Sequence, residues 1–98
     1  MGTTFINTSE WAAVLKGLLR SEMSLHSITY AELSKRLEQR FGIHQSENNL
    51  KAKINKGVLG AQLFLQILIV VGADKLDFAQ IIKLHDEYSK GSKRNFSM

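Results

Sequence analysis

The stretch that decides the fold is ITYAELSKRLEQRFGIHQSENNLKAKINKG, residues 28–57. Thr29 followed three residues later by Glu32 is a capping box, which satisfies free amide donors at the start of a helix. Gly42 ends that helix, because glycine adopts the left-handed conformation of a helix end without strain. Ser46 is suited to cap a second helix, which ends before Gly57. The stretch therefore predicts two helices joined by a glycine turn, the pattern of a helix-turn-helix.

The second of these helices has an apolar side and a polar side. At about 100° per residue, Leu50 and Ile54 share one side and can hold the helix against a core. Asn and Gln side chains can pair with adenine, and Lys can reach guanine or phosphate, although the same residue types also suit a merely solvated face. The small Ala52 would permit close approach. The predicted DNA-binding face consists of Gln45, Ser46, Asn48, Asn49, Lys51, Ala52, Lys53, Asn55 and Lys56.

Length, composition and charge limit the number of domains and the possible classes of fold and function. The 98 residues suit one domain spanning residues 1–98, and 44% hydrophobic residues with 22% charged residues are ordinary for a folded protein. The chain contains no cysteine, so disulfides and thiolate metal sites are excluded, and a cytoplasmic location is expected. The net charge is +4, and its densest part is residues 42–60, with three lysines against one glutamate. A positive segment at the predicted recognition helix would attract phosphate.

Neither a signal peptide nor a membrane span is predicted. The N-terminus lacks the basic and then apolar run of a signal peptide. Residues 58–73 are very apolar, but Gln62 and Gln66 interrupt them, and a span needs about 20 residues. We therefore expect a soluble protein without a membrane partner.

The N-terminal part predicts one more helix. Thr8 or Ser9 would cap it, and an apolar stripe at helical spacing runs along it. Trp11 belongs to this stripe and is interpreted as a core anchor rather than a stacking platform for bases. Phe5 and Ile6 could pack against the first turn as a hydrophobic staple.

A very apolar segment follows the recognition helix. Eight of the nine residues 63–71 are apolar, and periodicity alone does not separate a buried helix from a buried strand here. The length of the run and the following Gly72 favour a helix that is buried nearly all round. With a last helix after Asp77, the five predicted helices span residues 8–23, 29–41, 45–56, 60–71 and 77–89, and a frayed tail follows.

The last predicted helix carries an apolar stripe of its own. Asp77 would cap it, and Leu84 points away from the stripe and would be exposed. His85 lies on the stripe, where a histidine satisfied in the core is the simpler interpretation than a base or ligand. We expect a homodimer built partly by this helix, because one helix-turn-helix covers only a few base pairs and two can bind paired half-sites. The predicted stripe is Phe78, Ile81, Ile82, His85 and Tyr88.

The motifs together resemble a small bacterial domain family of uncharacterised function. Its pattern runs W…LK…L, ITYAEL, NL..KI..G and a closing hydrophobic helix, which Trp11, residues 15–19, residues 28–33 and residues 49–57 match. That family is similar in turn to phage-lambda-repressor-like helix-turn-helix domains. The resemblance covers about residues 11–78 and leaves the C-terminal helix and tail, residues 79–98, outside. It implies an all-α, compact five-helix bundle with a lambda-repressor-like helix-turn-helix.

Enzyme chemistry finds little support in the sequence. His26, His44 and His85 lack the spacing of metal ligands, and no glycine-rich phosphate loop occurs. No catalytic residue, metal or cofactor is therefore predicted. Two function classes remain, and the first is favoured: a transcriptional regulator of bacterial or phage type that binds double-stranded DNA. The second is a protein-interaction module, an adaptor or phage-type inhibitor, on the same scaffold without DNA binding.

Overall fold

Five α-helices make up the described part of the chain. The structure is a computed structural model and describes residues 9–93, with side chains described for residues 9–88. The helices are α1 (Ser9–Leu25), α2 (Tyr30–Phe41), α3 (Glu47–Lys56), α4 (Ala61–Val71) and α5 (Phe78–Lys93). No residue in that range lies in a strand. The all-α prediction is confirmed, and each predicted start lies within two residues of the observed one. The possible cap at Thr8 and the staple of Phe5 and Ile6 lie outside the described residues.

Two helix ends differ from the prediction. Helix α1 continues to Leu25, and α5 continues to Lys93 where a frayed tail was predicted from residue 89. Residues 94–98 of that tail lie outside the described residues. Periodicity locates the interior of a helix better than its end, because frayed ends carry no apolar repeat.

Polar side chains cap the starts of α2, α3 and α5, as the sequence predicted. The Thr29 hydroxyl accepts from the Glu32 amide at 3.1 Å, and the Ser46 hydroxyl accepts from the Asn49 amide at 3.0 Å. Asp77 Oδ1 accepts from a backbone amide of α5 at 3.2 Å. The Glu32 carboxylate accepts from Arg36 Nε one turn later, at 2.9 Å, so this residue also supports α2 as an ion pair.

The core is built by α1–α4. Helix α2 packs against α3 and α4, and α1 packs against α3, α4 and α5. Arg36 adds a polar tie, since its Nη1 donates to the Val70 carbonyl at 2.8 Å near the end of α4. Each of the four helices contributes apolar side chains to one cluster, and the residues buried in it are Leu19, Met23, Ile28, Leu33, Leu37, Leu50, Ile54, Ile67, Leu68, Val70 and Val71.

Helix α4 is not buried all round, which corrects the prediction. Leu65 is 54% exposed, and Ile69 on the same face is about half exposed. The physical reason is that α4 has neighbours only on the side of α1 and α2. Eight apolar residues in nine therefore predicted more burial than two neighbouring helices can provide.

The stripe predicted for α5 is right only in part, because Phe78 and Ile82 do not belong to the packed face, and the exposure predicted for Leu84 is wrong. Phe78 and Ile82 are 64% and 60% exposed, whereas Leu84 is half-buried. Leu84 and Tyr88 lie over Gly17 of α1, at 3.8 Å and 3.6 Å from the position that a Cβ atom would take there. A glycine at this point lets α5 approach with a different face, and residues 81, 84, 85 and 88 form that face at helical spacing.

Trp11 is not a core anchor. Its side chain is 47% exposed, and its ring stacks on the ring of His85 with centroids 4.2 Å apart and planes at 19°. The stack joins the start of α1 to the middle of α5. His85 is therefore half-buried against an aromatic ring rather than enclosed in the core.

Helices α3 and α4 meet at a sharp bend. Within the described residues, no single helix is long and apolar enough to cross a membrane; the α3–α4 pair passes that test by length and composition but is bent by 113°. Gly57 begins the bend with φ +68°, and a Cβ atom there would lie 2.2 Å from the Ala12 carbonyl oxygen. The backbone of the bend thus lies directly on the backbone of α1.

Candidate nucleic-acid interface

Helix α3 is held from one side only. Leu50 and Ile54 are completely buried, and they place α3 against α1 and α2. Ser46 caps the start of the helix, and Gly57 ends it in the left-handed conformation. The start is therefore defined by a side-chain cap and the end by backbone hydrogen bonds, and the remaining sides of α3 face away from the core.

The predicted DNA-binding residues line this outward side, with two exceptions. Gln45 and Lys53 are half-buried, whereas the other seven are exposed: Ser46, Asn48, Asn49, Lys51, Ala52, Asn55 and Lys56. The structure thus brings the nine residues onto one continuous element and confirms the division of α3 into a buried and an exposed side. Whether this side contacts DNA stays a prediction.

The two half-buried residues contact each other. Lys53 Nζ donates to Gln45 Oε1 at 3.3 Å, which joins the middle of α3 to the residue before its cap. The Ser34 hydroxyl of α2 donates to the backbone carbonyl of Gln45 at 2.6 Å. Ser34, Gln45 and Lys53 therefore form a polar bridge from α2 through the turn to α3.

Sequence reasoning missed Ser34. A weak signal exists, because serine is unfavourable in the interior of a helix unless its hydroxyl has a task such as this hydrogen bond. The partner, however, is a backbone carbonyl eleven residues later, and its position depends on the conformation of residues 42–46.

The charge of the α3 surface is positive. Helix α3 contains three lysines, Lys51, Lys53 and Lys56, and one acidic residue, Glu47, which lies in the first turn. A carboxylate at the start of a helix interacts favourably with the helix dipole, so Glu47 has a local structural reason for its position. The two exposed lysines lie farther along, at the middle and the end of α3.

The three histidines have separate local neighbours. His26 Nε2 lies 3.5 Å from a Glu22 carboxylate oxygen, and His44 Nδ1 lies 3.7 Å from a Glu38 carboxylate oxygen. His85 stacks on Trp11. Among the described residues, no group of three or more His, Asp or Glu side chains is placed to hold a metal ion.

A second surface, which the sequence did not predict, is an apolar groove of about 370 Å³. It lies between the first half of α1 and the bend at residues 57–59, and Ile81 of α5 closes part of one side. Val58 and Trp11 at the groove are largely exposed. The principal apolar lining residues of the groove are Trp11, Val14, Leu15, Val58, Phe64 and Ile81.

Comparison with known proteins identifies a family. Residues 11–76 match the model of the domain of unknown function DUF6471, which covers α1 from Trp11 through α4 and ends before α5. This range agrees closely with the resemblance over residues 11–78 found in the sequence. No curated protein and no solved structure matches the chain.

Proposed function

We propose that this chain, which belongs to the DUF6471 family, is a DNA-binding transcriptional regulator of bacterial or phage type. In this proposal, α2, the turn and α3 act as a lambda-repressor-like helix-turn-helix, and the outward side of α3 enters the major groove. One observation carries the proposal: α3 is anchored by two completely buried residues and exposes a side of asparagines and lysines.

The residue types on this side suit a DNA groove. An α-helix fits the major groove, where an asparagine can make a paired contact with adenine: its amide nitrogen donates to N7, and its amide oxygen accepts from N6. Asn48, Asn49 and Asn55 are exposed and supply such amides. Ala52 between them is small enough to leave the helix backbone close to the bases. Lys51 and Lys56 lie exposed beside them and can neutralise phosphates.

A homodimer through α5 is part of the proposal, with the contact moved from Leu84 to Phe78 and Ile82. These two side chains lie one turn apart on α5, and both are exposed. Lys83 and Asp86 are exposed beside them, and opposite charges on one surface can pair across a two-fold axis. Dimeric repressors place two recognition helices about 34 Å apart, one turn of DNA.

The test is a salt titration of DNA binding. The fluorescence anisotropy of labelled duplexes of mixed sequence measures the affinity at each salt concentration. Affinity should fall linearly with salt on logarithmic axes, because bound lysines release counterions. Lys51→Ala or Lys56→Ala should each weaken binding to all sequences and lower the slope by about 0.9. The matched control is Lys75→Ala, which removes the same charge from an exposed position between α4 and α5.

Two results would overturn the proposal. The first is a wild-type protein without DNA affinity even at low salt. The second is an equal loss of affinity in Lys75→Ala and in the two α3 variants, since this would indicate attraction by total charge rather than by α3. In either case the protein-interaction module becomes the better candidate, and the open apolar groove beside Trp11 and Val58 supports it.

A further inference from the structure

Two residues of the proposed DNA-binding side, Gln45 and Lys53, are joined by a hydrogen bond between their side chains. Lys53 Nζ lies 3.3 Å from Gln45 Oε1. A lysine ammonium carries three donors and no acceptor, so the amide atom that it contacts must be the oxygen. The orientation of the Gln45 amide is therefore determined by chemistry, and its nitrogen points away from Lys53.

This bond changes what Gln45 can recognise. A glutamine pairs with adenine by accepting from N6 with its oxygen and donating to N7 with its nitrogen. The Gln45 oxygen has two lone pairs, and the Lys53 ammonium occupies one of them and places its positive charge beside the other. The pair therefore presents several N–H donors, from the amide nitrogen and the ammonium group, against one free lone pair.

A hydrogen bond from α2 also holds the pair of Gln45 and Lys53 in place. The Ser34 hydroxyl donates to the Gln45 carbonyl at 2.6 Å, and both Gln45 and Lys53 are half-buried. Side chains that are ordered before binding lose less conformational freedom when a ligand arrives. Asn48 and Asn55, in contrast, are exposed on the same helix and are free to use both amide atoms.

We infer that Gln45 and Lys53 form a donor-rich specificity determinant that reads guanine in the major groove. This inference rests on the proposed DNA-binding function. Guanine presents two acceptors there, O6 and N7, and no donor, so it complements a site in which donors predominate. Adenine presents one acceptor and one donor, and its N6 donor would meet the Lys53 ammonium beside the Gln45 oxygen. The asparagines of α3 keep the ability to read adenine at other positions.

Selection of binding sites from a random duplex pool tests this inference. The wild type should select guanine at one position, with a discrimination against adenine of roughly 5- to 150-fold, the effect of one paired base contact. Lys53→Met keeps a long side chain and removes the donors, so the Gln45 oxygen becomes free. The preference at that one position should then change from guanine to adenine, while the other positions stay the same.

Two further variants complete the test. Lys51→Met, on the exposed opposite flank of α3, should weaken binding without a change of base preference. Gln45→Glu keeps an acceptor for Lys53 and removes the amide donors, so it should reduce the guanine preference even if Lys53→Met folds poorly. An unchanged guanine preference in both Lys53→Met and Gln45→Glu, or adenine selection at that position by the wild type, overturns this inference alone. A wild type that selects no DNA overturns the proposed function with it.

Discussion

Helices α4 and α5 show what decides the burial of an apolar residue in this protein. Helix α4 lies against α1 and α2 and buries four side chains: Ile67, Leu68, Val70 and Val71. Helix α5 packs against α1, and none of its described side chains is buried. Yet Leu65 of α4 is 54% exposed, almost as much as Ile82 of α5 at 60%. Burial thus follows the number and position of neighbouring helices rather than the apolar content of a helix.

The family match also separates α4 from α5. Residues 11–76 include α4 and its neighbours and end before α5 begins at Phe78. The match therefore covers the helices that build the core cluster and leaves out the helix that adds no residue to it. Core formation belongs to the α1–α4 region, and α5 is available for a contact outside it.

The largest effect is expected at Gly57, where the chain turns into α4. Gly57→Ala should lower the free energy of unfolding by about 2–5 kcal/mol, toward the upper end, because left-handed strain of about 1–2 kcal/mol adds to an overpacking cost of about 1–3 kcal/mol. The overpacking follows from the distance of 2.2 Å between the added Cβ and the Ala12 carbonyl oxygen. Urea unfolding followed by circular dichroism measures the change.

Gly42 provides the matched control for this substitution. It has the same φ of +68°, but no atom lies within 4 Å of the added Cβ. Gly42→Ala should therefore cost only the strain, about 1–2 kcal/mol. Equal losses in the two variants would mean that the bend into α4 does not depend on the contact with α1.

A smaller effect is expected for truncation of a buried residue in α4. Leu68 is 8% exposed and belongs to the core cluster. Leu68→Ala should destabilise the protein by about 2–5 kcal/mol, toward the lower end because the site lies at the edge of the core. Leu65→Ala on the same helix and Ile82→Ala on α5 should each change stability by about 0.5 kcal/mol or less. A loss at Ile82 as large as that at Leu68 would contradict the contrast between α4 and α5.

Local signals explain why much of the fold could be predicted from the sequence. Thr29, Ser46 and Asp77 cap helices through bonds to residues three positions away, and such spacing is visible in the chain itself. Leu50 and Ile54 are one turn apart, so their shared face also follows from spacing alone. The exposed side of α3 is the complement of that face and could be predicted for the same reason.

The errors come from contacts between residues far apart in the sequence. On α5, the observed face of residues 81, 84, 85 and 88 is as regularly spaced as the predicted stripe. Gly17 of α1 determines which of the two faces packs against α1. Trp11 was predicted to be a core anchor because it belongs to the apolar stripe of α1, but its neighbour is the half-buried His85. The bond between Gln45 and Lys53 depends on the conformation of the turn, which spacing does not describe.

The smallest effect on stability, but a clear effect on assembly, is expected on the outward side of α5. Phe78 and Ile82 are exposed in the single chain, so replacing both with serine should change the unfolding free energy of the monomer by no more than about 0.5 kcal/mol per site. The same double substitution should shift the homodimer to monomer, because it removes the apolar part of the proposed two-fold contact. Sedimentation at about 10 µM suits the measurement, since a dimer held by about 7 kcal/mol is substantially formed there. Leu65→Ser is the control, as it removes a similarly exposed apolar side chain from α4 and should leave the dimer intact. A monomeric wild type, or a dimer that tolerates both serines in α5, would exclude this face as the interface.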